Sequence, residues 1–379
     1  VEIHQHHTPG QTVTSSDISF DLRLRGTKTP SSNPVNLSGP GEVTVKTRAR
    51  SGSDWSAVNV ATFYVDLVPA GAANLAITEI SYRPAAPTVA ELTAGFNDRD
   101  DFEFIELTNA SADNVHLRDV AFTDGIDFDF SDAATGVVLL PGERVLLVRN
   151  AAAFEFRYGV GLPVAGEFSG GLSNDGEQLV LTDAAGDAIH DLTFNDQLPW
   201  PTAADGDGFS LVLVMPEGEV VPDHSDARNW RASVGVGGSP GVGDGTSYPI
   251  WKAAESVSGD SDDRDGDGLD AVAEYALGGD PDRPDAENLP TGSVESFDVG
   301  GVVDDYLMIR VRRRAGADDL GVTVELGDDL IDGGWSVVPV SYVGVEKNAD
   351  GSETLIFRSA DPAGTAISGK AFLRVRFGV

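Results

Sequence analysis

Apolar and polar residues alternate with a period of two along much of this chain, the pattern of strands that bury one face. Ile18-Ser19-Phe20-Asp21-Leu22-Arg23-Leu24 and Val43-Thr44-Val45-Lys46-Thr47-Arg48-Ala49 both follow it. A Thr/Pro/Ser/Asn-rich loop, 29–36, separates them, and Trp55 with Phe63-Tyr64-Val65 offers large apolar groups for a small sandwich. Segment 1–70 is accordingly expected to be the C-terminal part of a β-sandwich module, with a linker from Asp66 to Ala73. The opening Val1-Glu2-Ile3-His4 reads as mid-strand, which suggests a C-terminal fragment of a longer protein.

From 74 to 241, short strands are broken by turn residues. Leu75 to Ile80, Phe102 to Leu107, Arg144 to Val148, Gln178 to Leu181, Ala188 to Phe194 and Phe209 to Val214 are predicted strands. Asp183-Ala184-Ala185-Gly186-Asp187 is predicted to close a hairpin, and Ala151 to Tyr158 is the one predicted helix of this segment. A linker is expected at 242–258, an Asp-rich segment with a short helix at 259–285, and a small β-domain at 291–379. In that last piece Tyr306 to Arg312 alternates cleanly, with Thr354 to Arg358 and Phe372 to Phe377 as its expected pairing partners. The predicted class is all-β, a tandem of β-sandwich modules with a short loop-and-helix connector.

Several motifs in 74–241 occur in an informative order. They are Thr78-Glu79-Ile80, Glu103-Phe104-Ile105-Glu106-Leu107-Thr108-Asn109-Ala110-Ser111, Leu140-Pro141-Gly142-Glu143, Gly171-Leu172-Ser173-Asn174-Asp175-Gly176-Glu177, Pro199-Trp200-Pro201, Gly208-Phe209-Ser210-Leu211, Asn229-Trp230 and Gly238-Ser239-Pro240-Gly241. Together they resemble the lamin-tail domain, an immunoglobulin-like β-sandwich found in bacterial secreted and surface proteins and in nuclear lamins. The acidic stretch Ala85 to Asp101 departs from that pattern as an insertion, and Asp124 to Asp129 as an edge loop. The order of segments looks like the C-terminal region of large exported Verrucomicrobia-type or Planctomycetes-type proteins, some with a CotH-type kinase-like domain upstream. The resemblance implies a secreted or cell-surface location, and a structural position for Glu106 accepting backbone hydrogen bonds from a loop.

Composition narrows the partners. A formal net charge of −35, with five lysines, repels phosphate backbones and anionic lipid, so neither nucleic-acid binding nor membrane-surface binding is expected, and the lack of a long apolar run likewise gives no expectation of membrane insertion. The acidic excess suits saline surroundings and divalent cations, and is equally a genome-wide compositional habit. With no cysteine there is no disulfide, zinc-thiolate site or thiol nucleophile. No apolar run approaches the roughly 18 residues that span a bilayer.

The sharpest chemistry lies at Asp263-Arg264-Asp265-Gly266-Asp267-Gly268-Leu269-Asp270-Ala271-Val272-Ala273-Glu274. Carboxylates stand at positions 1, 3, 5 and 12 and a glycine at 6, the spacing of an EF-hand calcium loop. Asp263, Asp265 and Asp267 are the expected side-chain ligands of Ca²⁺, with the Leu269 carbonyl and both oxygens of Glu274. Position 8, apolar in paired EF-hands, is Asp270, which points to a lone loop of dockerin-like or thrombospondin-type-3-like character. Asp280, Asp282 and Asp285, or Asp260 and Asp262, are candidates for a second ion. A solvated acidic linker is the alternative.

Other constellations are weaker. His4 and His6 would share a strand face beside His7, without a third metal ligand, and a frayed edge strand explains them as well. His116, His190 and His224 are expected as separate surface or boundary residues. Glu103 and Glu106, three apart on a strand, would face opposite sides and so cannot flank one substrate. Arg310, Arg312, Arg313, Arg314, Arg358, Arg374 and Arg376 are expected to neutralise Asp318-Asp319 and Asp328-Asp329, with docking onto an acidic neighbour or anionic glycan as the alternative. With no Gly-x-Ser-x-Gly elbow and no catalytic cluster, a non-enzymatic role is expected: a calcium-stabilised modular β protein for adhesion, display or spacing, partnered by other domains of the same polypeptide, a surface protein or a glycan. The alternative is a carbohydrate-binding accessory region of an exported enzyme, for which Trp55, Trp200, Trp230, Trp251 and Trp335 would have to be exposed.

Overall fold

The computed structural model describes residues 41–378 apart from 49, 52, 134–137, 216–219, 328–333, 338 and 366–370. The first strand pair is Gly41–Thr47 with Asn59–Val65, antiparallel from Gly41 opposite Val65 to Thr47 opposite Asn59. Trp55, expected inside this module, is instead half-exposed, with the Arg48 guanidinium 4.0 Å from its ring centre. The earlier predicted strand at 18–24 lies outside the described residues.

Two larger sheets follow. One has six strands in the spatial order Val164–Glu167, Arg144–Val148, Phe104–Asn109, Leu75–Ser81, Leu211–Leu213, Trp230–Ala232. The other has five: Ser169–Gly170, Ile126–Asp129, Ala121–Asp124, Gly176–Thr182, Ala188–Asn195. Their inner faces share one core, in which Leu75, Ile80, Ile105, Leu107, Val145 and Leu147 meet Phe122, Leu179, Leu192 and Phe194. Each such side chain contributes about 1.5–3 kcal/mol on burial, which is why this alternating pattern collapses into a sandwich. The predicted hairpin forms across Asp183–Asp187. Asp124 to Asp129, expected as an edge loop, is instead the strand Ile126–Asp129 paired with Ala121–Asp124 through a turn at Gly125, whose φ of 81° and lack of room for a Cβ beside Leu179 both require glycine.

Four α-helices punctuate the described residues: α1 (Val89–Ala94), α2 (Ala151–Tyr158), α3 (Tyr248–Ala254) and α4 (Ala271–Leu277). α2 stands where the sequence predicts it. α1 sits in the acidic insertion, held by a capping box between Thr88 and Glu91. Glu91 also pairs with Arg157 of α2 at 2.7 Å. α3 occupies the stretch expected as a linker and buries Tyr248 and Trp251.

Beyond α4, a four-stranded sheet runs Thr291–Val299, Val302–Arg313, Glu353–Ser359, Val340–Lys347. Thr354 to Arg358 pairs with Tyr306 to Arg312 as expected. Phe372–Gly378 does not: it pairs with Gly321–Gly327, making a second, two-stranded sheet. The two sheets share Ile309, Val311, Val324, Val345 and Leu355, and Leu277 of α4 inserts among them.

Candidate metal centre

The acidic loop is shaped by its own side chains before any ion is considered. Asp263 accepts from the amides of Gly266 (2.8 Å) and Gly268 (3.2 Å), Asp265 from Asp267 (3.1 Å), and Asp267 from Leu269 (2.8 Å). Gly266 and Gly268 take φ of 79° and 95°, the left-handed region that a side chain at a tight turn resists. Asp270 then caps α4, accepting from the Ala273 amide at 3.0 Å. Its presence at position 8 thus has a local cause: the helix starts there and needs an acceptor for its first free amides. α4 ends at Gly278 in the left-handed conformation.

Oxygens of Asp263, Asp265 and Asp267 lie within 4.8 Å of one another, as the spacing predicts. Glu274 falls into a second group with Asp267 and Asp285, on the same distance limit. Glu274 is 2% exposed and Asp285 3%, so both carboxylates are inside the protein. Both oxygens of Glu274, Oδ1 of Asp285 and Oδ2 of Asp265 are buried without a hydrogen-bond partner. The other Asp285 oxygen accepts from the Asp280 amide (2.9 Å), and the Asp285 amide donates to Asp267 Oδ2 (3.0 Å). Burial first, then the charges of Asp285, Asp267, Asp265 and Asp280, pushes the Glu274 carboxyl up to about 7. Buried polar atoms are normally satisfied, so this cluster has the form of a cation site. Its donors are all carboxylate oxygens, which select a hard cation such as Ca²⁺ over the softer transition metals.

The helix that presents Glu274 is itself gripped on its other side. Tyr275, Ala271 and Ala276 pack with Tyr248 and Trp251 of α3 and with Val257, Ala317 and Leu320. The Tyr275 hydroxyl donates to Asp319 and to the Thr246 carbonyl. Next to it Arg231, 1% exposed on the last strand of the six-stranded sheet, holds Asp318 through two hydrogen bonds (2.6 and 2.7 Å) and Asp244 through one (2.7 Å). Sequence reasoning missed Arg231, and it assigned Asp318-Asp319 to the wrong cations.

The arginines of the last β-piece find closer partners. Arg310 pairs with Glu295, Arg312 with Asp350, Arg313 with Glu353, and Arg374 with Glu325. Arg314 donates to the carbonyls of Tyr275 and Gly279, and Arg358 to those of Ser359 and Ala360. Asp328 and Asp329 lie outside the described residues.

Glu103 and Glu106 are both fully buried and anchor separate elements. Glu103 accepts from Arg149 (3.1 Å) and the Leu172 amide (3.0 Å). Glu106 accepts from Arg144, Thr78 and the Gly241 amide (2.7 Å), the loop contact that the resemblance implies. Glu106 and Glu79 line a cleft of about 670 Å³ between the six-stranded sheet and the 239–250 segment, from which Glu103 is absent. His4, His6 and His7 lie outside the described residues. His190 and His224, expected apart at the surface, are buried side by side, with ring centres 3.8 Å apart and planes tilted by 36°. Both turn inward because the Leu75–Ser81 strand offers them backbone: the Ile77 amide donates to His224 Nε2 (3.0 Å), and His190 Nε2 lies 2.6 Å from the Leu75 carbonyl. Trp200, Trp230 and Trp251 are buried in cores. No protein-family model, curated protein or solved structure matches the chain.

Proposed function

We propose that this chain is a non-enzymatic, calcium-stabilised modular β protein of the secreted fraction or cell surface, serving adhesion, display or spacing. The observation that carries the reading is Glu274: a carboxylate buried to 2% exposure, with neither oxygen hydrogen-bonded, beside Asp267. Ca²⁺ held by Asp263, Asp265, Asp267, the Leu269 carbonyl and Glu274 would remove the repulsion and fix α4. α4 in turn carries Tyr275 toward Asp319 and Leu277 into the last core, so the ion acts as a structural joint between the sandwich and the C-terminal β-piece. An ion that binds only the ordered loop adds stability in proportion to the logarithm of its concentration.

In the same reading the 74–241 sandwich is a lamin-tail domain. The motif order and the two face-to-face, largely antiparallel sheets support that. The carbohydrate-binding alternative is less favoured, since Trp200, Trp230 and Trp251 are packed into cores.

The test is calorimetric titration of Ca²⁺ into chelator-treated protein, with Glu274→Gln alongside. A saturable heat and a calcium-dependent rise in melting temperature, both lost in the variant, are expected. No heat and no thermal shift would sink the reading. Strong binding on a glycan array would replace the purely structural role with the carbohydrate one.

A further inference from the structure

We propose that the loop holds two divalent cations rather than one, sharing Asp267 and Glu274, with Asp285 as the ligand that makes the second position. This rests on the calcium reading above and extends it from the EF-type loop to the turn after α4.

The two carboxylate groups overlap at Asp267: Asp263, Asp265 and Asp267 on one side, Asp267, Glu274 and Asp285 on the other. A single ion in the first group leaves the second unexplained, because Asp285 is not among the ligand positions of the twelve-residue spacing. Yet Asp285 is 97% buried, its Oδ1 has no hydrogen-bond partner, and it lies against Glu274, whose two oxygens are equally bare. Five carboxylates occupy the two groups; one divalent cation offsets two of their charges and two offset four. The basic residue on which Glu274 and Asp285 act, Arg314, directs its hydrogen bonds to the carbonyls of Tyr275 and Gly279 instead. Arg264 pairs with Asp282, which is exposed. No arginine or lysine among the described residues forms an ion pair with Glu274 or Asp285, so the charge there calls for an ion.

Backbone geometry has been shaped to the same end. The Asp285 amide donates to Asp267 Oδ2 and the Asp280 amide to Asp285 Oδ2, which ties the turn after α4 onto the loop and leaves Asp285 Oδ1 buried and unbonded. Gly279 leaves room for both carboxylates: a Cβ at that position would stand 1.8 Å from Glu274 Oε2 and 2.8 Å from Asp285 Oδ2. All donors are oxygens and several are anionic, so Ca²⁺ suits the second position better than Mg²⁺, which retains most of its water.

Stoichiometry decides the matter. Native mass spectrometry and calorimetry of the full chain with Ca²⁺ alone are expected to give two ions per chain, falling to one in Asp285→Asn, with the remaining affinity within a few-fold of one wild-type site. Asp263→Asn is expected to weaken the other ion. One ion in the wild type, with Asp285→Asn binding it equally well, overturns the second position while leaving the calcium reading in place. Two ions that both survive Asp285→Asn overturn the assignment to this residue. No ion at all overturns both. Circular dichroism and melting in chelator, unchanged from wild type, establish that Asp285→Asn is folded; if it is not, the wild-type count of one or two still decides.

Discussion

The hydroxyl of Tyr275 donates to the carboxylate of Asp319 at 2.5 Å, across the contact between α4 and the turn that precedes the Gly321–Gly327 strand. Tyr275 follows directly on Glu274, so one turn of helix presents a carboxylate to the acidic loop on one face and a phenol to the C-terminal piece on another. Burial, and then the hydrogen bond to Asp319, pushes the Tyr275 phenol far above its ordinary range, so it remains a donor at every physiological pH. The candidate ion site and the module contact are therefore a single packed unit.

Tyr275→Phe removes only that donor and keeps the ring against Tyr248 and Trp251. Asp319 retains the Tyr248 amide at 2.7 Å. A hydrogen bond to a charged acceptor contributes about 1.5–3 kcal/mol, and a loss of that size is expected in urea unfolding at saturating Ca²⁺. A change near zero would mean that the contact plays no part in holding α4.

Arg231 is the buried counterpart of this contact, with Asp244 at 8% and Asp318 at 17% side-chain exposure. Arg231→Met leaves two carboxylates facing each other without a cation, and removing one partner of such a cluster costs about 3–5 kcal/mol. Adding Asp244→Asn and Asp318→Asn is expected to restore a large part of that loss. A triple variant no more stable than the single one would show that the cost lies in packing rather than charge.

Local chemistry was readable in the chain and tertiary chemistry was not. The loop, its three aspartates and Glu274 follow from spacing, because a tight turn and one helical period fix them. Asp285 stood among Asp280 and Asp282 with nothing to rank it, since its position depends on how the turn after Gly278 folds back on Asp267. Asp270 looked like a defect of the loop until the N-cap of α4 gave it a role. α3 did carry a signal, Ser247 followed by Pro249 with Tyr248 and Trp251 one turn apart, yet the Gly-rich stretch before it reads as a linker. His190, His224 and Arg231 are placed by strand pairing between distant segments, which no local pattern encodes.

His224 and Glu79 should give stability opposite dependences on pH. Burial and the neighbouring His190 hold the His224 imidazole down to about 3, from 6.5. The unfolded chain therefore takes up the proton first, and stability present above pH 6.5 is lost as pH falls toward 3. Glu79 behaves in reverse: burial raises it from 4.5 to about 7, so its contribution is complete below pH 4.5 and is lost as pH rises through 7. His224→Gln is expected to flatten the acid limb of a stability profile by on the order of 2 kcal/mol. Glu79→Gln, which keeps an acceptor for Ser210 and Ser239, is expected to gain relative to wild type between pH 4.5 and 7. Parallel profiles for wild type and both variants would refute the assignment.

Gly279→Ala isolates the position of the buried carboxylates from everything else in the fold. Gly279 is not in the left-handed region, so alanine meets no backbone strain there, and its lower unfolded-state entropy favours folding by about 0.4–1 kcal/mol. The nearest atoms to the new methyl belong to Glu274 and Asp285. To admit it, Glu274 must swing away from Asp267, and the cation loses its most buried ligand. Calcium affinity is expected to fall at least tenfold by indicator competition, while the melting temperature in chelator stays near the wild-type value because the displaced charges also move apart. Gly235→Ala, where no atom lies within 4 Å of the added carbon, serves as the control and should leave both quantities unchanged. If Gly279→Ala binds Ca²⁺ as tightly as the wild type, Glu274 does not hold the ion, because no rotamer can keep its carboxylate where it now stands with a methyl carbon 1.8 Å away.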